Sequence, residues 1–235
     1  MFNVKHFISL WSNTYMMKAK KKLTANMLFS NYMNYVLENN SNPPSVYSFA
    51  KANDFEEADF YKFYGSFEAL EKAVFATFFD NTIGMLAKSE EFQSFDARNK
   101  LLSFYFTFFE MLTANRSYVV YSLKMHKDNM KALGKLSDLK HRFTQFVSEL
   151  EIEMIDVKQD KLKKFQEKSL EESAWIQLLI TLKFWLDDTS ASFEKTDIFI
   201  EKSINASFDL LNVQPLKSII DLGKFLFKEK INPKL

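Results

Sequence analysis

Four glycines and four prolines are the only strong breakers of regular structure in this 235-residue chain. So few turn residues cannot supply the many tight reversals of an all-β fold. They predict long helices joined by a few polar connectors. The apolar spacing agrees. Val46, Phe49 and Ala50 fall at i, i+3 and i+4, and Phe143, Phe146, Val147 and Leu150 extend the same stripe over two turns. Hydrophobic residues make up 47% of the chain and Phe alone contributes 26 residues, ample material for a buried core. The expected fold class is all-α, with an N-terminal helix-turn-helix three-helix module followed by a C-terminal helical bundle.

The module is read from Ser45 to Leu70. Ser45 is placed to cap a first short helix, because its hydroxyl can accept from an unpaired N–H of the first turn. Asn53-Asp54 supplies the turn, since both side chains bond nearby backbone and tolerate left-handed conformations. Phe55 plugs the turn. Phe60, Phe63 and Tyr64 give a second short helix its apolar side, Gly65-Ser66 breaks it, and Phe67 to Leu70 opens a third. In a helix-turn-helix the second helix enters a DNA major groove.

These residues resemble the N-terminal pattern of the TetR-like transcriptional regulators. Ser45-Val46 match its start, Phe49-Ala50 its Ile-Ala, and Phe55 its Val. Phe60-Tyr61 and Phe63-Tyr64 match its Leu-Tyr and Tyr-Phe, and Ser66, Glu68 and Leu70 close it without a gap. Leu28, Tyr32, Tyr35 and Val36 extend the likeness upstream as the apolar face of a first helix. Asn40 stands where the family ends that helix with Gly. The resemblance implies DNA contact by Lys18, Lys20, Lys21, Lys22, Ser45, Tyr47, Tyr61 and Lys62. There are departures. The family's turn Gly is Asp54, its recognition-helix Ser cap is Glu56, and its phosphate-holding Lys is Phe67. Glu57 and Asp59 occupy positions that should face DNA. Asp54 to Lys62 holds four acids and one base, net −3. Non-specific DNA affinity comes mainly from neutralised phosphates, so this helix opposes it, while the Lys18–Lys22 arm favours it.

The body is expected from helix four onward, Ser66 to about Lys88, with Phe75, Phe78, Phe79 and Ile83 facing inward. Leu101 to Phe109 is apolar nearly all round a helix, which predicts a central position. The resemblance implies a ligand pocket in this bundle. Phe104, Phe108, Met111, Tyr118 and Tyr121 are the candidate lining for a small apolar ligand or lipid. Leu170 to Leu186 and Asp197 to Leu211 read as a helix pair joined by Asp187-Asp188-Thr189-Ser190, a loop rich in capping residues. The resemblance implies a homodimer built on this pair, through Trp175, Leu179, Leu182, Ile200, Ile204 and Phe208. Lys124 to Arg142 holds six bases and two acids and reads as a solvated surface.

Four segments are expected. Residues 1–17 are an N-terminal extension ahead of a start at Met16 or Met17, 18–66 the helix-turn-helix module, 67–214 the ligand-binding and dimerisation bundle, and 215–235 a C-terminal helix with a basic tail. The net charge of +1 gives no global pull toward nucleic acid or anionic membrane. Cys is absent, which excludes disulfides and thiol catalysis and fits a cytoplasmic, reducing setting. No uncharged run reaches the roughly 20 residues of a membrane span. The three His lack metal-ligand spacing, and four scattered Gly build no phosphate loop, so no cofactor, metal or catalytic residue is expected. Two functions follow. The first is a ligand-controlled DNA-binding regulator with double-stranded DNA as partner. The second is a protein of the same fold that has left DNA and binds a lipid, an isoprenoid or a protein partner.

Overall fold

A computed structural model describes residues 23–124, 129–152 and 160–211, and among these every regular element is helical. The N-terminal module is α1 (Ala25–Asn39), α2 (Val46–Ala52) and α3 (Glu57–Phe60). A long α4 (Phe67–Leu86) leads into the body. There follow α5 (Glu90–Ser94), α6 (Ala97–Ala114), α7 (Arg116–Lys124), α8 (Asn129–Gly134), α9 (Ser137–Glu149), α10 (Asp160–Asp187) and α11 (Glu194–Leu211). A 3₁₀ turn, Ala191–Phe193, joins the last two.

Local chemistry sets the boundaries of the module. The Thr24 hydroxyl accepts from the Met27 N–H and starts α1. Asn40 ends it in the left-handed region, φ 48°, the conformation that spares Asn more than most residues. The Ser45 hydroxyl accepts from the Ser48 N–H at 3.1 Å, and the Ser48 hydroxyl lies 3.2 Å from the Ser45 N–H that donates to it, a closed capping box. Asp54 takes φ 59°, so the missing turn Gly is replaced by a residue that bears this conformation at modest cost. The Ser66 hydroxyl accepts from the Ala69 N–H and starts α4.

Packing is dominated by aromatic rings. Phe49 is the hub of the module, with Tyr32, Tyr35, Phe55, Phe60 and Phe67 around it at 5.5–6.4 Å between centroids, all edge-on. Such pairs add about 0.5–1.5 kcal/mol each beyond the area they bury. In the body, α4 packs on α6 and α9, α9 on α10, and α11 on α6. Phe104 stacks on Phe108 at 5.3 Å and leans on Phe143 at 5.4 Å. One continuous cluster runs from Leu28 in α1 to Ile204 in α11. The core face of α4 is Val74, Phe75, Phe78 and Phe79, with Ile83 only partly buried against it. α6 is buried over a wide arc, but Phe106 faces out, so it is not enclosed on all sides.

The α10–α11 corner is built from one acid and one base. The Asp188 carboxylate accepts from the backbone N–H and the hydroxyl of both Ser190 and Thr196, at 2.7–3.0 Å, and so caps α11. The Arg116 guanidinium donates to the carbonyls of Trp185, Leu186 and Asp188 at the end of α10. It also lies over the rings of Trp185 and Phe193, 4.4 Å from each. The acids of this corner therefore serve capping and pairing, with Asp187 on Lys183 at 2.8 Å.

Candidate functional site

Three places in the structure bear on function: the outer surface of α2 and α3, the junction between the module and the body, and a cavity beside α10 and α11.

The outer surface is acidic and self-paired. Glu57 and Asp59 lie in the single turn of α3. Asp59 holds Lys62 at 2.7 Å, and Glu57 accepts from the Tyr61 hydroxyl at 3.3 Å. Partial desolvation and this contact raise the Tyr61 phenol above its usual range. Phe67, where a phosphate-holding Lys was expected from the motif, spends its ring on Tyr32, Phe49 and Phe60 at 5.4–5.5 Å. It offers nothing to a phosphate. Tyr47 is exposed on α2, and the Ser45 hydroxyl is committed to its cap. Lys18, Lys20, Lys21 and Lys22 lie outside the described residues, as do the 1–17 extension and the 215–235 tail.

The junction is polar and buried at its centre. The Tyr32 hydroxyl on α1 donates to Glu71 on α4 at 2.6 Å. Lys135, in the turn between α8 and α9, donates to Glu71 at 3.2 Å and to the Ser122 carbonyl and hydroxyl on α7 at 3.3 Å. Both charged side chains are only 7% exposed. Burial and then the Glu71 carboxylate push the Tyr32 phenol far up, so it remains a donor at any physiological pH. Asn42, in the loop after α1, accepts from Tyr121 on α7 at 3.1 Å. Tyr32 of α1 and Lys135 of the α8–α9 turn thus meet on the Glu71 carboxylate of α4, and Lys135 ties in Ser122 of α7. Lys135 corrects the reading of Lys124 to Arg142 as a solvated surface. Lys140 and Arg142 of the same run pair across helices with Glu172 and Asp80.

The cavity, about 590 Å³, opens between the end of α9, α10 and α11, with Leu101 of α6 behind it. Its walls are mostly apolar, crossed by a seam of Gln177, Ser203 and Ser207.

Residues 100–226 match the family model described as Tetracyclin repressor-like, C-terminal domain. The chain belongs to this TetR-like family. No curated protein matches it. The matched segment begins inside α6 and takes in the junction lysine, the cavity and the α10–α11 pair, so the body of this TetR-like protein carries the family signal.

The candidate pocket and dimer residues of that body lie mostly in its packed core. Of the candidate pocket residues, Phe104, Phe108 and Tyr118 are fully packed core, and Met111 and Tyr121 are partly buried against it. None of the five lines the cavity. Of the candidate dimer residues, Trp175, Leu182, Ile200 and Ile204 are buried within the single chain, and Leu179 and Phe208 pack on its core. Trp175, Leu182, Ile200 and Ile204 have little surface left for a partner, while Leu179 and Phe208 keep some. The outward residues are the neighbouring ones, Ile176 at 55% and Ile180 at 54% exposure, with Phe184 and Ile198 beside them. Their signal was in the sequence, since α10 carries apolar residues on two faces, but nothing in a periodic stripe says which face is the inner one. Among the described residues no helix is long and apolar enough to cross a membrane.

Proposed function

We propose that this TetR-like protein is a homodimeric, cytoplasmic transcription regulator that binds double-stranded DNA through 18–66 and responds to a small apolar ligand held in the bundle of 67–214. The observation that supports it best is the junction: a capped helix-turn-helix is tied through Tyr32, Glu71 and Lys135 to the body of a TetR-like chain. A ligand that shifts α8–α9 would act on α4 and α1 through one shared carboxylate. Phosphate contact falls to Lys18, Lys20, Lys21 and Lys22, with Ser45, Tyr47, Tyr61 and Lys62 at the duplex. Pairing of two copies uses the outward apolar faces of α10 and α11 around Ile176, Ile180, Phe184 and Ile198, an isologous contact of the kind that C2 dimers make.

A specific observation favours a second reading. On α3, Glu57 and Asp59 already hold the Tyr61 hydroxyl and the Lys62 ammonium that would face DNA. In that reading the fold has left DNA and serves a lipid, an isoprenoid or a protein partner.

Titration against the DNA upstream of its own coding sequence, at several salt concentrations, separates the two. The regulator binds saturably and selectively, with affinity that falls steeply as salt rises. The double variant Glu57→Gln, Asp59→Asn binds more tightly, because two acids no longer repel the backbone. No binding at low salt by a folded dimer rejects the regulator.

A further inference from the structure

We propose that α7 is a strut between the α10–α11 corner and the helix-turn-helix, so that a change at the corner reaches the module through Arg116. The coupling is a property of the single chain. Its use, in which pairing of two copies at α10 and α11 sets the pose of the module, rests on the homodimer of the function above. α7 is nine residues long, about 13 Å, and both its ends are committed. At its start the Arg116 guanidinium holds three carbonyls at 3.1–3.4 Å and lies over Trp185 and Phe193. The Trp185 indole N–H donates to the Thr113 hydroxyl at the end of α6, 3.1 Å away, and closes the corner on that side. Farther along, Tyr118 meets Tyr32 of α1 edge-on at 6.4 Å. The Tyr121 hydroxyl donates at 3.1 Å to the Asn42 side-chain oxygen, which also accepts from Tyr32 at 3.3 Å. Pro43 and Pro44 follow, and their rings fix the backbone φ that leads from Asn42 into the Ser45 cap of α2.

Coupling between distant places needs an element with two arrangements, and the corner holds one. Ser192 and Phe193 have positive φ, 52° and 60°. A bulky side chain in that region is an outlier that persists only where its surroundings impose it. The Phe193 ring is held by the Arg116 guanidinium at 4.4 Å and by the Trp185 ring at 6.0 Å. Released from Arg116, the turn relaxes toward negative φ. α11 starts at the next residue, Glu194, and moves with it, together with Ile198 on its outward face. The same release frees the start of α7, whose farther part bears on Tyr32 and Asn42. This grip requires arginine. Its guanidinium is flat enough to lie against two rings while its fork reaches three carbonyls, and the ammonium of a lysine keeps the charge but loses both.

Amide hydrogen exchange of the full chain, read by mass spectrometry on peptides covering 42–52 and 194–204, tests this. Arg116→Lys speeds exchange in both peptides about tenfold, the scale of one lost hydrogen bond to a charged group. Asp188→Asn is the control. It weakens the cap of α11 but keeps the carbonyl that Arg116 holds, so it speeds 194–204 and leaves 42–52 close to the parent. Tyr121→Ala cuts the strut at its other end and carries the test in reverse, since coupling is reciprocal: it speeds 194–204 as well as 42–52. That variant decides should Arg116→Lys fail to fold. Unchanged exchange over 42–52 in folded Arg116→Lys overturns the proposal, and so does unchanged exchange over 194–204 in folded Tyr121→Ala. Equal speeding of 42–52 by Asp188→Asn, or uniform speeding of the whole chain, marks a general loss of stability and overturns it too. None of these readouts uses DNA, so a failed strut leaves the regulator standing, and a strut found in a protein that binds no DNA rejects the regulator alone.

Discussion

Lys62–Asp59 on α3 and Lys135–Glu71 at the junction are the same chemical pair in two settings. The first is the shorter, 2.7 Å against 3.2 Å. It is also the weaker in consequence. The Lys62 side chain is 69% exposed and its partner 32%, so water and salt screen the contact and the entropy of two held side chains offsets much of it. Lys135 and Glu71 have left water almost completely, and each depends on the other and on Tyr32 and Ser122 to be tolerable at all. Distance alone ranks the two pairs in the wrong order, and burial corrects it. The exposed pair sets what the surface of α3 can offer a ligand. The buried pair sets where the module sits.

The largest test of this contrast is Lys135→Met. Removing one partner of a buried pair leaves Glu71 uncompensated and lowers the unfolding free energy by about 3–5 kcal/mol, readable in urea denaturation. A loss under about 1 kcal/mol would put the junction in the same class as the surface and end the comparison.

Asp188 sharpens it from another side, as an acid whose carboxylate is held by N–H and hydroxyl donors. Burial works to raise its carboxyl, but the N–H and hydroxyl donors of Ser190 and Thr196 outweigh burial and hold it down at about 2, against an ordinary 3.8. A carboxyl lowered on folding adds stability that is fully present above its unfolded value and disappears as pH falls through its folded value. Thermal melts should therefore show Asp188→Asn less stable than the parent at neutral pH, with the gap closing from about pH 4 down to about pH 2. A gap independent of pH would mean that the Asp188 charge does not contribute.

The smallest effect belongs to Lys62→Ala, which should leave stability within about 1 kcal/mol of the parent. A larger loss in the same urea experiment would show that the α3 surface pair is structural after all.

What the sequence disclosed follows the reach of each interaction. Ser45, Ser66, Asn40 and Asp54 were readable because a cap or a left-handed turn is decided within three or four residues. The helix pair at the end of the chain was readable from its period, and the capping loop at Asp188 from its composition. Glu71 with Lys135 was not, since 64 positions separate them and each sits in an ordinary charged context. The cavity was missed for a related reason. Its polar seam is Gln177, Ser203 and Ser207, residue types that carry no signal until two helices bring them together. The Phe-rich stretch around Phe104 drew attention as a pocket because aromatic density looks alike whether the rings enclose a space or fill it.

The single turn of α3 has a consequence for how much sequence such a module can read. Four helical residues rise about 6 Å along their axis. Successive bases on a strand are about 3.4 Å apart, so the regular part of the helix passes only about two of them. Each half of a two-fold operator would then carry little information, and a genome would hold many copies of any one half. Discrimination would come from the fixed separation of two halves rather than from the letters in either, which makes a rigid link between module and body part of the code.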